Sequence, residues 1–457
     1  MKAERVYLIL VLLVLMVIVL GVGSYVRSGG SEIFAATSIA ALPAGYVLVL
    51  TTYALRKSNA KILLVWCILA MVMIRSVQVW KTGIDFRDEL RFIDYSKALF
   101  EQGQFLGYLR YYPANIPFAA VFYSLYSIWH NTEVFEVVAL IVYPILVFGY
   151  LYMTRQIERL SHYKDSVSPL IPAVMFLPFI PTFSILPTYY WPQLLGLGVL
   201  FFAFGSVLKL ASSESTQTRR ALILTIGLSI LLVFSHSVSS ALYLLTVPFI
   251  YLAVSDKSKK RMLLFIEIFT LLLFVAVHYS QYWSTWVQIG RALLGDALAW
   301  QRLERYSFPD LGSVGRSSIF MTVAHTGFFV VVGVFVLWRL LRTIRSDFGA
   351  RSPSSWMLTR TLRSLLSPLR KDPISTAFVG LGVLAFLSAA FIGGNFLDPV
   401  RIIGWIALLA LPIIIPKNKV GAIVLVVVLV ALFFLLVWTV NSPWGSPIGS
   451  SVNLNTG

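Results

Sequence analysis

Apolar runs of roughly 17–25 residues recur along the chain, separated by short polar stretches, and that is the length at which an α-helix crosses a hydrocarbon core. They are too long and too continuous for barrel strands, which alternate over about ten residues. The pattern predicts helices at about 6–26, 32–55, 62–80, 113–129, 134–153, 169–187, 194–210, 221–236, 239–255, 262–280, 318–341, 374–393, 401–416 and 420–440. Lys2 and Arg5 precede the first run as in a signal peptide. Its apolar core is too long and no small-residue cleavage site follows, so it is read as a helix.

Composition agrees. Hydrophobic residues are 58% of the chain, charged residues only 12%, and the mean hydropathy is +0.82. A soluble protein carries about twice that charged fraction. The net charge of +17 would suggest nucleic acid in a soluble protein. Here Lys and Arg cluster in short loops: Arg56–Lys61, Arg219–Arg220, Lys257–Arg261, Lys417–Lys419 and, most heavily, Arg342–Pro373 with seven basic residues against two acids. The positive-inside rule places these loops in the cytoplasm. Counting from a cytoplasmic N-terminus then puts 81–112, 281–317 and 394–400 outside. The expected fold is an all-α polytopic membrane protein of about 13–14 transmembrane helices, one transmembrane domain over 1–440, with a disordered outer tail over 441–457. Between 81–112 outside and 211–220 inside lie four apolar segments, whereas parity requires an odd number of crossings. The stretch 169–192, with Pro169, Pro172, Pro178, Pro181, Pro187 and Pro192, is the first suspect for a segment that does not span, because non-helical backbone at membrane depth is tolerated where it lines a cavity.

Several chemistries lack their markers. Cys67 is the single cysteine and the five histidines are scattered, which argues against disulfides and a structural zinc site. No GxxxxGK[ST], GxSxG or HExxH pattern is present. No clear internal repeat supports an inverted-repeat transporter, and the pieces outside the apolar runs are too small to fold as a separate soluble domain.

Five of the chain's 20 acidic residues fall in 81–112: Asp85, Asp88, Glu89, Asp94 and Glu101. On a helix along the membrane surface, Asp85, Asp88 and Glu89 share one face at i, i+3 and i+4, with Phe92, Leu99 and Phe100 as interfacial anchors. Carboxylates so close repel unless a cation sits between them, and a divalent metal, Mg or Mn, at Asp85/Asp88/Glu89 is the candidate cofactor. Such a carboxylate can take the proton from an incoming nucleophile. The bland alternative is a solvated outer loop that avoids the positive-inside penalty.

A resemblance rests on these residues. A transmembrane helix is followed by an outer loop with Asp88-Glu89, by Phe92, by a helix ending Ala98-Leu99-Phe100-Glu101-Gln102-Gly103, and by Tyr111-Tyr112-Pro113-Ala-Asn-Ile-Pro117 entering the next run. This resembles the first outer loop of the GT-C membrane glycosyltransferases, with the protein O-mannosyltransferase and aminoarabinose-transferase branch most similar. Phe92 departs from the family, which usually has Tyr there, and the apolar pair at 6–55 is additional. Weaker similarity continues at Tyr189-Tyr190-Trp191-Pro192-Gln193 and Asp398-Pro399-Val400-Arg401. The resemblance implies an enzyme that moves a sugar from a polyprenyl-phosphate donor to a glycan, lipid or protein acceptor at the outer face of the cell membrane, with inversion. It implies Asp88 as base or orienting group assisted by Asp85 or Glu89, and short juxtamembrane helices in the acidic loop.

Other residues are candidates on their own chemistry. Arg401 offers a planar fork to a lipid phosphate, or snorkels at the interface. His236, in Phe234-Ser235-His236-Ser237, binds phosphate or sugar, or is a turn residue between two helices. Tyr111, Tyr112, Tyr190, Trp191, Arg302 and Arg305 suit sugar stacking and phosphate contact; aromatics there also suit an interfacial belt. Glu267 lies in an apolar run, near its cytoplasmic end, where Lys259, Lys260 and Arg261 are expected to pair with it. Trp356, Leu358, Leu362, Leu365, Leu366 and Leu369 alternate with Arg360, Arg363 and Arg370 as an amphipathic helix on anionic lipid. Two other function classes compete: a flippase or transporter of lipid-linked glycans, which predicts charge at the midplane of several helices, and a polysaccharide polymerase or ligase.

Overall fold

The computed structural model describes residues 116–130, 134–160, 191–213, 217–293, 332–342, 372–387 and most of 405–413, together with Glu101 and Arg345. Every regular element among them is helical. Seven helices are complete enough to name: α1 Ile116–Trp129, α2 Val134–Leu160, α3 Trp191–Ser212, α4 Thr218–Ser235, α5 Ser237–Ala253, α6 Lys257–Leu293 and α7 Pro373–Leu387. Among the described residues, three stretches are long and apolar enough to cross a membrane: Leu194–Ser212, Thr218–Ser235 and Lys257–Tyr279. The predicted runs 6–26, 32–55, 62–80, 169–187 and 420–440, the acidic loop, the 353–370 amphipathic segment and the tail lie outside the described residues.

Helix α3 is the centre of the bundle. Its apolar window is 83% buried, against 33% for α4 and 22% for α6. The outward faces of α4 and α6 instead carry Ile223, Leu224, Leu231, Phe265, Ile268 and Leu272 exposed, the surface expected of helices that meet an apolar surrounding.

Glycines bring α2 and α3 together. Gly149 lies against the Gly198 carbonyl, Gly198 against Ile145 and Leu146, and Gly205 against Tyr152 and Met153. Such small positions allow close backbone approach. Tyr150 and Tyr152 then meet Phe201 and Phe202 at ring separations of 5.0 and 5.8 Å. Partner numbers rise together along both helices, so α2 and α3 run parallel, and Leu160 and Trp191 stand at opposite ends of the pair.

The next helices are joined by minimal turns. His236 alone separates α4 from α5. Residues 254–256 separate α5 from α6, where Asp256 Oδ1 accepts from the Ser258 and Lys259 amides at 2.8 and 3.4 Å, a carboxylate cap on a helix start. Lys259 Nζ reaches back to the carbonyls of Ala211 and Ser213 at 3.2 and 2.5 Å. A cation thus closes the C-terminal end of α3. At α1, Phe118, Phe122 and Tyr126 stack at i, i+4 spacing, and His130, at φ 47, ends the helix in the left-handed conformation.

Late residues fill the bundle. Trp405, 1% exposed, packs on Phe201 and Phe204 with centroids 6.0 and 5.7 Å away. Its indole N–H donates to Thr246 Oγ1 at 2.9 Å, and the Tyr150 hydroxyl donates to the Leu408 carbonyl at 2.8 Å. Phe249 of α5 lies on Gly380 of α7. Arg339 pairs with Asp372, and its Nη1 donates to the Ile413 carbonyl at 3.3 Å. Asp372 also caps α7, accepting from the Ser375 amide and hydroxyl at 3.2 and 2.9 Å.

Two boundaries differ from the sequence reading. Helix α2 continues past 153 to Leu160. Helix α6 starts at Lys257 and continues through Tyr282, Trp283 and Trp286 to Leu293. The first part of the expected outer loop 281–317 is therefore an extension of that helix.

Candidate functional site

Asp85, Asp88, Glu89, Tyr111, Tyr112, Tyr190, Arg302, Arg305 and Arg401 lie outside the described residues. Trp191 opens α3. Of the candidates, His236 is placed in detail. It is 6% exposed, with extended backbone (φ −165) between α4 and α5. Its Nδ1 accepts from the Ser239 amide at 3.2 Å and lies 2.9 Å from Ser239 Oγ. That is a helix N-cap built from a ring nitrogen, serving a donor the first turn leaves open. A side chain on Gly196 of α3 would collide with the histidine, so the glycine makes room for it. Accepting through Nδ1 leaves the proton on Nε2. His236 is thus the turn residue of the two readings open from sequence, capping α5 through Nδ1.

A second polar group lies deeper, along α4, α5 and α6. Ser229 Oγ and the Tyr243 hydroxyl share a hydrogen bond of 3.0 Å, both buried. Glu267 Oε2 and Thr270 Oγ1 are buried with no hydrogen-bond partner among the described residues. Farther along α6, His278 is buried with Nε2 2.9 Å from the Val233 carbonyl. Thr225 and Thr246 return their hydroxyls to the Ala221 and Leu242 carbonyls of their own helices.

The expected pairing of Glu267 with nearby cations is not what forms. Lys259 is committed to the end of α3, Lys260 lies over the Tyr251 ring at 5.3 Å, and Arg261 is exposed. The first five residues of α6, Lys257–Arg261, carry four cations, so Glu267 stands near the inner end of the apolar stretch that follows them, as the sequence indicates. Ser229, Tyr243 and Thr270 went unnoticed in the sequence. The one available signal was hydroxyls at helical spacing inside apolar runs, Thr225 with Ser229 and Glu267 with Thr270.

Among the described residues no group of three or more His, Cys, Asp or Glu gathers to hold a metal; the Asp85/Asp88/Glu89 trio lies outside them. Comparison with family models, characterised proteins and solved structures gives no match for this chain.

Proposed function

We propose that this chain is a polytopic membrane glycosyltransferase of GT-C type, transferring a sugar from a polyprenyl-phosphate donor to an acceptor at the outer membrane face. One observation carries the reading: the Asp85, Asp88, Glu89 trio between two apolar runs, followed by Tyr111–Pro117 at the entry to the next, in a chain with only 20 acids. Asp88 takes the proton from the acceptor as it attacks the anomeric carbon from the side opposite the phosphate. The C–O bond to the phosphate breaks, the anomeric configuration inverts, and the lipid phosphate leaves with its charge held by Arg401. A divalent ion bound to the trio would offset its mutual repulsion.

The helical framework supports this arrangement. Trp405 follows Arg401 by four residues and bonds to Thr246 of α5, the helix that His236 caps. The segment containing Trp405 and the helix headed by His236 thus belong to one bundle. Helix direction supports an outer acidic loop. Lys209, Arg219 and Arg220 mark the α3–α4 turn as cytoplasmic. With α2 parallel to α3, its Arg155 and Arg159 end is cytoplasmic too. Helix α2 therefore starts at its outer end, the side on which 81–112 is expected.

A second reading, a flippase of lipid-linked glycans, draws on Glu267 within the apolar part of α6. The two readings separate in one assay. Purified protein in nanodiscs receives a panel of polyprenyl-phosphate sugars and acceptors. A new glycosidic bond of inverted configuration supports the enzyme; lipid translocation in vesicles with no new bond supports the flippase. Asp88→Cys on a Cys67→Ser background places a unique thiol, which labels from outside if the topology is right.

A further inference from the structure

The end of α3, the start of α4, the end of α5 and the start of α6 meet at one end of the bundle, and side chains fix them there. Lys259 Nζ, in the first turn of α6, donates to the Ala211 and Ser213 carbonyls at the end of α3 at 3.2 and 2.5 Å. Ser213 Oγ lies 3.3 Å from Oγ1 of Thr218, the first residue of α4. Lys260 lies over the ring of Tyr251, in the last turn of α5. The segments 209–220 and 256–261 therefore share this end, and together they carry seven cations and two acids. One acid, Asp256, accepts from the Ser258 and Lys259 amides; the other, Glu214, lies outside the described residues. Lys259 and Lys260 are held as above, whereas Arg219, Arg220, Lys257 and Arg261 are exposed.

An apolar stripe runs on from two of these cations. From Arg220, positions i+3, i+4 and i+11 are Ile223, Leu224 and Leu231; from Arg261, i+4, i+7 and i+11 are Phe265, Ile268 and Leu272. Each set shares one helix face, and all six residues are exposed. A separation of i+11 at about 1.5 Å per residue is about 16 Å, close to half of a hydrocarbon core about 30 Å thick. The two helices run side by side in the same direction, since His278 Nε2 lies 2.9 Å from the Val233 carbonyl beyond their joined starts. Each presents a guanidinium at its head and an apolar face as long as one leaflet's acyl chain.

Charge and stripe together select the occupant. An acidic soluble partner would meet the cations and leave the stripes uncovered. A second copy of this surface would set like charges face to face. A negatively charged phospholipid satisfies both parts: the guanidinium fork matches phosphate oxygens, and a net negative headgroup attracts the basic residues as a zwitterionic one does not.

We propose that this end of α4 and α6 binds an anionic phospholipid, its headgroup at Arg219, Arg220, Lys257 and Arg261 and its acyl chains along the two stripes. The site stands apart from sugar transfer and from Asp88.

The test uses the full chain in a neutral detergent, with native mass spectrometry to count bound lipid. Dioleoyl phosphatidylglycerol should bind at least about fivefold more tightly than dioleoyl phosphatidylcholine. Arg220→Gln with Arg261→Gln should weaken phosphatidylglycerol by about 25-fold, at about fivefold per cation, and leave phosphatidylcholine unchanged. Arg360→Gln with Arg363→Gln, in the other basic segment, should keep the preference. A preference that survives the first pair, or is lost only with the second, overturns the proposal. Should the first pair fail to fold, Arg219→Gln with Lys257→Gln must weaken the preference; an unchanged preference in that folded variant contradicts the site. Thermal unfolding separates lipid from other anions, since a ligand that binds only the folded state raises Tm. Dioleoyl phosphatidylglycerol should raise Tm more than dihexanoyl phosphatidylglycerol, inorganic phosphate or a poly-glutamate peptide. An equal rise with any of these three would overturn the lipid as occupant, and so would a protein dimer that the Arg220→Gln, Arg261→Gln pair breaks.

Discussion

Trp405 donates its indole N–H to Thr246 Oγ1 at 2.9 Å, joining positions 159 residues apart. The bond holds the helical segment after Arg401 against α5, while the ring packs on Phe201 and Phe204 of α3. Trp405→Phe keeps most of the packing and removes the donor; it should cost about 1–2 kcal/mol. Trp405→Ala also opens a cavity and should cost about 3–5 kcal/mol. Denaturant unfolding in micelles measures both, and equal losses would show that the hydrogen bond, not the packing, dominates.

Glycine substitutions should separate packing from propensity. A Cβ on Gly149 would sit 2.6 Å from the Gly198 carbonyl oxygen, whereas one on Gly227 meets nothing within 4 Å. Gly149→Ala forces α2 and α3 apart and should cost about 1–3 kcal/mol. Gly227→Ala should be neutral or stabilise by up to about 1 kcal/mol. Paired Tm measurements check the contrast.

Asp372, 4% exposed, answers to Arg339 and to the first turn of α7. Asp372→Ala leaves a partly buried guanidinium unpaired and uncaps α7, so it should cost about 3–5 kcal/mol. Replacing Arg339 by Met as well should cost less than the two single losses combined, because the unpaired charge is gone. Additivity in the unfolding cycle would show that the pair is uncoupled.

The helices α4 and α5 were legible in the sequence because Phe234-Ser235-His236-Ser237 interrupts two apolar runs. The length of α6 was not. Tyr282, Trp283 and Trp286 read equally well as an interfacial belt, and the start at Lys257 depends on the Asp256 cap. The parallel run of α2 and α3 was hidden for another reason: glycines announce close approach but carry no direction. Of the candidate site, the sequence found His236 and the question it poses, cap or ligand. The hydrogen bond between Ser229 and Tyr243 became visible only when α4 and α5 packed together.

His236 can be tested for both roles. Asn is a good N-cap and lacks the ring Nε2. His236→Asn should therefore keep the fold, whereas His236→Ala should lose about 1 kcal/mol. If Nε2 binds the donor phosphate, His236→Asn should weaken donor affinity at unchanged Tm. Unchanged donor affinity would leave the histidine a cap alone.

Asp88→Asn in a purified transfer assay tests the central claim most directly. The variant keeps the size of the side chain, and a carboxylate in an outer loop is expected to contribute little to stability, so Tm should hold. Transfer from the polyprenyl-phosphate sugar should fall by about 10²–10⁴-fold, the worth of a general base. Full transfer activity in the folded Asp88→Asn protein would contradict the account.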